Sequence, residues 1–164
     1  KNISGIIKAC ELLKREIGTG FQLLVISDEP YGKWENKVKE MGLEDCISFA
    51  GPMQMKEIAK ELSGSAAMLL FSHYETLSCV VAESWASGTP VISTPVGVAK
   101  SMDPAFGIQV DDNDSEGLKN AMRKIIDNET TFDPEKIRKK SEEYFPDKVM
   151  EMIDEIYTEV LNLQ

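Results

Sequence analysis

Two glutamates separated by seven residues, Glu75 and Glu83, are the residues of this chain whose type and spacing best suit chemistry. They flank the predicted start of a helix that follows an apolar strand. A helix N-terminus offers unpaired N–H groups and the positive end of a dipole, which suit a phosphate or sugar oxygen. A carboxylate beside it can accept hydrogen bonds from vicinal sugar hydroxyls. From spacing alone, an exposed loop acid and a solvated helix acid are the simpler interpretation.

The elements that must position these glutamates are short apolar strands alternating with amphipathic helices. This alternation predicts an α/β fold, a Rossmann-like open parallel sheet with helices on both faces. The most apolar strand is predicted to be central, and ligands of such sheets bind beyond the carboxyl ends of the strands. Strands are predicted at 21–26, 46–50, 66–71, 91–93 and 108–110, and helices from Ile3 to a stop at Gly18, then at 34–41, 53–62, 77–87, 115–127, 134–144 and 147–163.

Composition limits the classes of protein that the chain can belong to. Its 164 residues, without an internal linker, predict one domain over 1–164. A net charge of −10 argues against a nucleic-acid surface. The three cysteines have no disulfide or zinc spacing, so we interpret them as reduced core or near-core thiols of a cytoplasmic protein. No apolar run approaches the roughly 20 residues of a membrane helix.

The glutamates are embedded in a longer pattern, SHYETLSCVVAESWASGTPVISTPVG at 72–97. This pattern resembles the signature of retaining, GT-B-fold glycosyltransferases of family 4. That signature has two glutamates seven residues apart, then Gly-x-Pro-Val-Ile and a glycine-containing turn. The resemblance extends from Lys1-Asn2-Ile3 through 42–51 to 107–118, so it covers nearly the whole chain. It implies the C-terminal, donor-binding half of such an enzyme.

The resemblance implies a role for each matching residue. Glu83 would hold the ribose of the donor, and Glu75 would contact the transferred sugar. Lys1 would neutralise the diphosphate together with an arginine whose strand lies before residue 1. The remaining donor-binding positions are the backbone amides of Thr76, Leu77 and Ser78, and the segment from Phe49 to Gly51 that lines the base.

The resemblance also implies the reaction and its partners. A sugar would move from a nucleotide diphosphate sugar, with retention, to a lipid-linked or saccharide acceptor in polysaccharide or glycolipid synthesis. Amides and cations would stabilise the leaving diphosphate, so neither a metal nor a cofactor is expected. The acceptor site would belong to a missing N-terminal domain, which could also attach a cytoplasmic enzyme to a membrane surface. The opening without an initiator methionine agrees with an excised portion of a longer protein.

Departures from the family pattern keep a second interpretation open. Glu75-Thr76-Leu77-Ser78 replaces a frequent Glu-Gly-Phe-Gly, Ser27-Asp28-Glu29 replaces Gly-x-Gly, and Val98 replaces the second glycine of the later turn. The alternative is a non-catalytic module that binds a nucleotide-sugar or a partner while keeping the fold. A phospho-receiver domain, which needs a phosphorylatable aspartate at the end of its third strand, is set aside. The two strands that could be the third end in Ala50-Gly51-Pro52 and Phe71-Ser72-His73, and neither has an aspartate.

Two further segments have weaker signals. His73 is the only histidine, so it cannot form a histidine-based triad or cluster, and it either lines the sugar pocket or has no role. Residues 112–117 resemble the start of a calcium loop. The twelfth position is Arg123 rather than a bidentate glutamate, so this segment is predicted to be a turn and a helix N-cap.

Residues 1–164 alone are predicted not to transfer sugar, because the acceptor site and the phosphate arginine would lie outside them. The measurement is the consumption of UDP-, GDP- and ADP-sugars by the isolated domain and by the full-length protein. Turnover by the isolated domain at a rate near that of the full-length protein would contradict this prediction.

Overall fold

The computed structural model describes residues 1–162, in which helices and strands alternate along the chain. The strands are β1 (Leu23–Ile26), β2 (Ile47–Ala50), β3 (Met68–Leu70), β4 (Val91–Ser93) and β5 (Gly107–Gln109). The helices are α1 (Ile3–Ile17), α2 (Gly32–Glu40), α3 (Met55–Gly64), α4 (Cys79–Ala86), α5 (Ser115–Ile126), α6 (Pro134–Ser141) and α7 (Pro146–Asn162). Short 3-10 helices lie at Gly97–Ser101 and Glu142–Tyr144.

All strand pairs in the described residues are parallel, which confirms the α/β, Rossmann-like fold class. The strands form two sheets, β1–β2 and β3–β4–β5. In the second sheet Val91 lies opposite both Met68 and Gly107, so β4 is the middle strand. All three residues of β4 are buried.

The prediction that the most apolar strand is central was wrong, because β3 lies at an edge of its sheet. Apolar content reports burial against helices rather than the number of neighbouring strands. The central strand β4 ends in a polar residue, Ser93, whose hydroxyl donates to the Thr94 carbonyl at 2.7 Å. That hydrogen bond makes the buried serine tolerable.

Helices cover both faces of the three-stranded sheet, as the alternation of its side chains shows. Ile92 belongs to a core cluster with Leu13 of α1 and Leu118 of α5. The preceding residue, Val91, points to the opposite face of the sheet. It belongs to a second core cluster, together with Trp85 of α4 and Ile137 of α6. The two helix layers therefore have separate cores on opposite sides of one sheet.

The boundaries of several elements differ from the predicted ones. The helix predicted from Leu77 begins at Cys79, because Ser78 has a left-handed backbone with φ 66°. The helix predicted at 134–144 divides into α6 and a 3-10 turn. The predicted end of the last helix, Leu163, lies outside the described residues.

Two of the three cysteines have the predicted environment. Cys10 and Cys46 are buried, and burial raises the pKa of Cys10 to about 12, so this thiol stays protonated. Cys79 is exposed, which corrects its predicted near-core position. Its place in the first turn of α4 leaves it beside the start of a helix whose buried face carries Val81, Ser84 and Trp85. Within 1–162, no helix has the length and apolarity to cross a membrane.

The second sheet depends on a close approach of β5 to β4 at Gly107. A Cβ at this position would overlap the Val91 carbonyl oxygen and also meet Met102 Sδ at 2.9 Å. Gly107→Ala should therefore lower the free energy of unfolding by about 1–3 kcal/mol, as for other overpacked sites. Urea denaturation measures the change.

The matched control for this prediction is Gly64→Ala, at the end of α3. No atom lies within 4 Å of a Cβ built there, so the change should be neutral or stabilising. Equal stability of the two alanine variants would contradict the close approach at Gly107.

Candidate donor-binding site

The candidate site lies where the start of α1 meets the carboxyl end of β3. The Asn2 N–H donates to the Phe71 carbonyl at 3.0 Å. The Asn2 side chain also caps α1, since its Oδ1 accepts from the Gly5 N–H at 3.0 Å. These two bonds fix the first residue of the chain beside the loop that follows β3.

Lys1 and Glu75 are in direct contact at this point. Lys1 Nζ lies 2.5 Å from Glu75 Oε1, and the side chains are 52% and 19% exposed. Burial alone would raise the pKa of Glu75, but the hydrogen bond and charge of Lys1 outweigh it and hold this pKa below its ordinary value. The neighbouring Ser72 hydroxyl also lowers the pKa of Glu75, although Ser72 Oγ does not meet the distance and angle requirements of a hydrogen bond. Glu75 is therefore an ionised acceptor beside a cation.

Unpaired backbone N–H groups follow Glu75 at the start of α4. Among the described residues, none of the N–H groups of Thr76, Leu77 and Ser78 has a backbone acceptor, and neither do those of Cys79 and Val80. The Ser78 side chain forms no capping bond, so it leaves the first turn free. The predicted contribution of these amides to donor binding is not tested by the structure and stays a prediction.

Glu83 lies in the second turn of α4 and is half-buried. Its carbonyl accepts from the N–H and the hydroxyl of Ser87, at 3.1 and 3.0 Å. Its carboxylate has no hydrogen-bond partner within residues 1–162. The structure does not bring Glu83 into the Lys1–Glu75 ion pair, and its predicted contact with the ribose stays a prediction.

The segment predicted to line the base is held by a residue that the sequence analysis missed. Phe49 packs on Tyr31 with ring centroids 4.9 Å apart. The Tyr31 hydroxyl lies 2.5 Å from the Ala50 carbonyl and 2.9 Å from the Ser27 carbonyl, so it joins the carboxyl ends of β1 and β2. Burial raises the pKa of Tyr31, which keeps the phenol protonated as a donor. Gly51 follows directly and is exposed.

The loop after β1 replaces the expected glycine turn with a side-chain turn. Ser27 Oγ accepts from the Glu29 N–H at 3.0 Å, which closes the turn without glycine. The only sequence signal for this arrangement was Tyr31 itself, an aromatic residue directly after a polar loop. The sequence could not show that its hydroxyl bonds the Ala50 carbonyl, which is 19 residues away.

The turn after β4 touches the same loop through Gly97. A Cβ on Gly97, which has φ 49°, would lie 2.6 Å from the Leu77 carbonyl oxygen. That carbonyl accepts from the Val98 N–H at 3.1 Å. The turn predicted by the Gly-containing motif therefore packs on the segment that follows Glu75.

His73 and the 112–117 segment meet at this edge. His73 Nδ1 lies 2.7 Å from Asp112 Oδ1, and both side chains are about half exposed. Asp114 Oδ1 accepts from the Gly117 N–H at 2.8 Å, which confirms the predicted helix cap. No group of three or more potential metal ligands occurs among residues 1–162. A contact of His73 with a sugar stays a prediction.

The fold and this edge define a class: an α/β domain with a cation, an ionised carboxylate and free amides at the carboxyl end of parallel strands. Residues 1–144 match the family of glycosyl transferases group 1, and the chain belongs to that family. The family resemblance given by the sequence is therefore confirmed.

Individual relatives agree with this membership. An N-acetyl-alpha-D-glucosaminyl L-malate synthase of Bacillus anthracis is 27% identical over 169 residues, covering 98% of this chain and 43% of the relative. An MMP alpha-(1->4)-mannosyltransferase of Mycolicibacterium hassiacum is 30% identical over 97 residues, covering 59% and 23%. The chain thus spans less than half the length of these relatives.

Solved structures share the fold. The lipopolysaccharide outer core galactosyltransferase WaaB matches with a TM-score of 0.81 at 17% identity, covering 97% of this chain and 45% of that one. The pneumococcal O-GlcNAc transferase GtfA in complex with UDP and GlcNAc matches with a TM-score of 0.75 at 18% identity, covering 98% and 33%. At these identities the likeness concerns the fold alone.

The ion pair predicts a pH-dependent stability. Glu75→Gln should lower the free energy of unfolding by roughly 0.5–1 kcal/mol at neutral pH, because Lys1 loses a partner at a partly exposed site. A folded-state pKa below the ordinary 4.5 means that this stabilisation is present above 4.5 and is lost as the pH falls through the folded-state value. Urea unfolding from about pH 3 to 7 measures the difference between the two proteins.

The control is the same change in a Lys1→Met background. There, Glu75→Gln should no longer lower stability at neutral pH. Because burial alone raises the pKa of Glu75, any remaining pH dependence should have the opposite sign, with the Gln variant gaining stability relative to the Lys1→Met protein as the pH rises. A loss of stability at neutral pH that persists without Lys1 would contradict the assignment of the lowered pKa to this ion pair.

Proposed function

We propose that this chain is the donor-binding half of a glycosyltransferase that transfers a sugar from a nucleotide diphosphate sugar with retention. The observation that carries the proposal is the contact of Lys1 with Glu75 beside the free amides at the start of α4. An ammonium and a helix N-terminus suit a diphosphate, and an ionised carboxylate suits sugar hydroxyls. These three kinds of group support the proposal of a nucleotide-sugar ligand.

The ion pair suggests how the donor is received. In the free protein each member of the pair satisfies the other. A bound diphosphate would take Lys1 as its partner, and Glu75 would become free to accept hydrogen bonds from the transferred sugar. Lys1 and the amides would then stabilise the negative charge that develops on the leaving diphosphate. We propose that no metal takes part, because these groups supply the positive charge.

The nucleoside would occupy the neighbouring strand ends. In this proposal Glu83 accepts hydrogen bonds from the ribose, and Phe49 and Gly51 line the base. The contact with Tyr31 would keep Phe49 in place when the base binds. UDP is the first nucleotide to test, because GtfA, which shares the fold, was solved with UDP.

The edge is open, which supports a second domain that completes the cleft. Tyr74 and Leu77 are 78% and 55% exposed on the loop that carries Glu75. An N-terminal domain of the same protein would cover the loop and bind the lipid-linked or saccharide acceptor. We place the enzyme in the cytoplasm, with any membrane attachment through that domain.

The roles of the two glutamates can be separated in the full-length protein. Glu83→Ala should weaken UDP and UDP-sugar binding alike, by about ten- to a hundredfold, because a hydrogen bond to a charged group contributes roughly 1.5–3 kcal/mol. Glu75→Ala should leave UDP binding nearly intact while it lowers UDP-sugar affinity and especially turnover. Isothermal titration calorimetry and a transfer assay measure these effects.

The matched control is Glu40→Ala, an exposed glutamate at the end of α2, which should change none of these quantities. If Glu75→Ala weakened both ligands equally, or Glu83→Ala weakened neither, the proposed roles would be wrong. Full binding of the donor without turnover by the wild type would favour the non-catalytic module.

A further inference from the structure

Two buried hydroxyls without a hydrogen-bond partner mark the ends of one loop. Among the described residues, Ser72 Oγ and Ser78 Oγ are the buried side-chain oxygens that lack a partner. Other buried serines are paired: Ser84 Oγ donates to the Thr89 carbonyl at 2.9 Å, and Ser93 Oγ donates to the Thr94 carbonyl. An unpaired buried hydroxyl destabilises the folded state. Because both of these hydroxyls lie in the loop around Glu75, we infer that they serve a purpose other than folding.

Ser78 is the more unusual of the two. Its backbone is left-handed, with φ 66° and ψ 60°, which is unfavourable for any residue with a side chain. A serine directly before a helix ordinarily accepts a hydrogen bond from the first turn, yet Ser78 forms no such bond. This residue, only 7% exposed, therefore adds backbone strain and an unpaired hydroxyl without capping α4.

The surrounding backbone is shaped to hold this hydroxyl. A Cβ on Gly97 would overlap Ser78 Oγ. The hydroxyl therefore has room only because residue 97 is a glycine. Directly after Ser78 along the chain come the N–H groups of Cys79 and Val80 at the start of α4, which have no backbone acceptor among the described residues. Each of these unpaired groups is a donor or can act as one. The ligand that this arrangement suits is an anion.

We propose that the Ser78 hydroxyl donates a hydrogen bond to the donor's phosphate nearest the transferred sugar. This inference rests on the proposed function and adds a side-chain contact to the loop amides. Ser78 lies three residues after Glu75, the residue assigned to the sugar, which places the hydroxyl near the sugar-linked phosphate rather than the base. No hydrogen bond of this hydroxyl within the described residues has to break before it can donate to a ligand.

The test compares UDP with UMP in the full-length protein by isothermal titration calorimetry, together with thermal unfolding. Ser78→Ala should weaken UDP binding about tenfold, as expected for one hydrogen bond to a charged group, and leave UMP binding unchanged. Its melting temperature should stay the same or rise, because the hydroxyl has no partner in the free protein. Ser78→Gly should lose the same affinity and have a higher melting temperature, since glycine adopts a positive φ without strain.

Ser84→Ala, within the helix that Ser78 precedes, is the matched control. It removes a paired buried hydroxyl, so it should lower the melting temperature and leave UDP affinity unchanged. Wild-type-like UDP binding by Ser78→Ala would overturn this inference and leave the proposed function intact. Equal weakening of UDP and UMP would also overturn it. Failure of the wild type to bind UDP, GDP and ADP would overturn the proposed function and this inference with it.

Discussion

The hydrogen bond from the Asn2 N–H to the Phe71 carbonyl is the contact on which the candidate site depends. It joins the first turn of α1 to the end of β3, two elements that are far apart in sequence. Because the bond fixes Asn2, the preceding Lys1 lies beside the loop after β3 and reaches Glu75. The cation, the carboxylate and the start of α4 therefore meet through one backbone contact rather than through a preformed pocket.

Much of the fold could be predicted because local patterns determine it. Apolar runs located the strands, and Gly18 and Gly88, both with positive φ, ended the helices that the periodicity predicted. The order of strands within the sheets could not be read in this way. β3 is more apolar than β4, yet β4 is central, since helix packing buries both strands. The start of α4 was misplaced because a left-handed serine has no sequence signature.

The site was predicted through a motif, and the structure supplied the contacts that a motif does not contain. Lys1 and Glu75 were assigned to different parts of one ligand, and their direct contact over 74 positions follows from the topology alone. Tyr31 was missed because its partners, the Ala50 and Ser27 carbonyls, are backbone groups. The unpaired hydroxyl of Ser78 and the space left by Gly97 are likewise visible only in three dimensions.

The most direct test of this account is a crystal structure of the full-length protein with a bound UDP-sugar. We predict that the diphosphate lies at the start of α4, that Lys1 Nζ has moved from Glu75 to a phosphate oxygen, and that Glu75 accepts hydrogen bonds from the sugar. A diphosphate bound elsewhere, with the Lys1–Glu75 ion pair unchanged, would contradict the account.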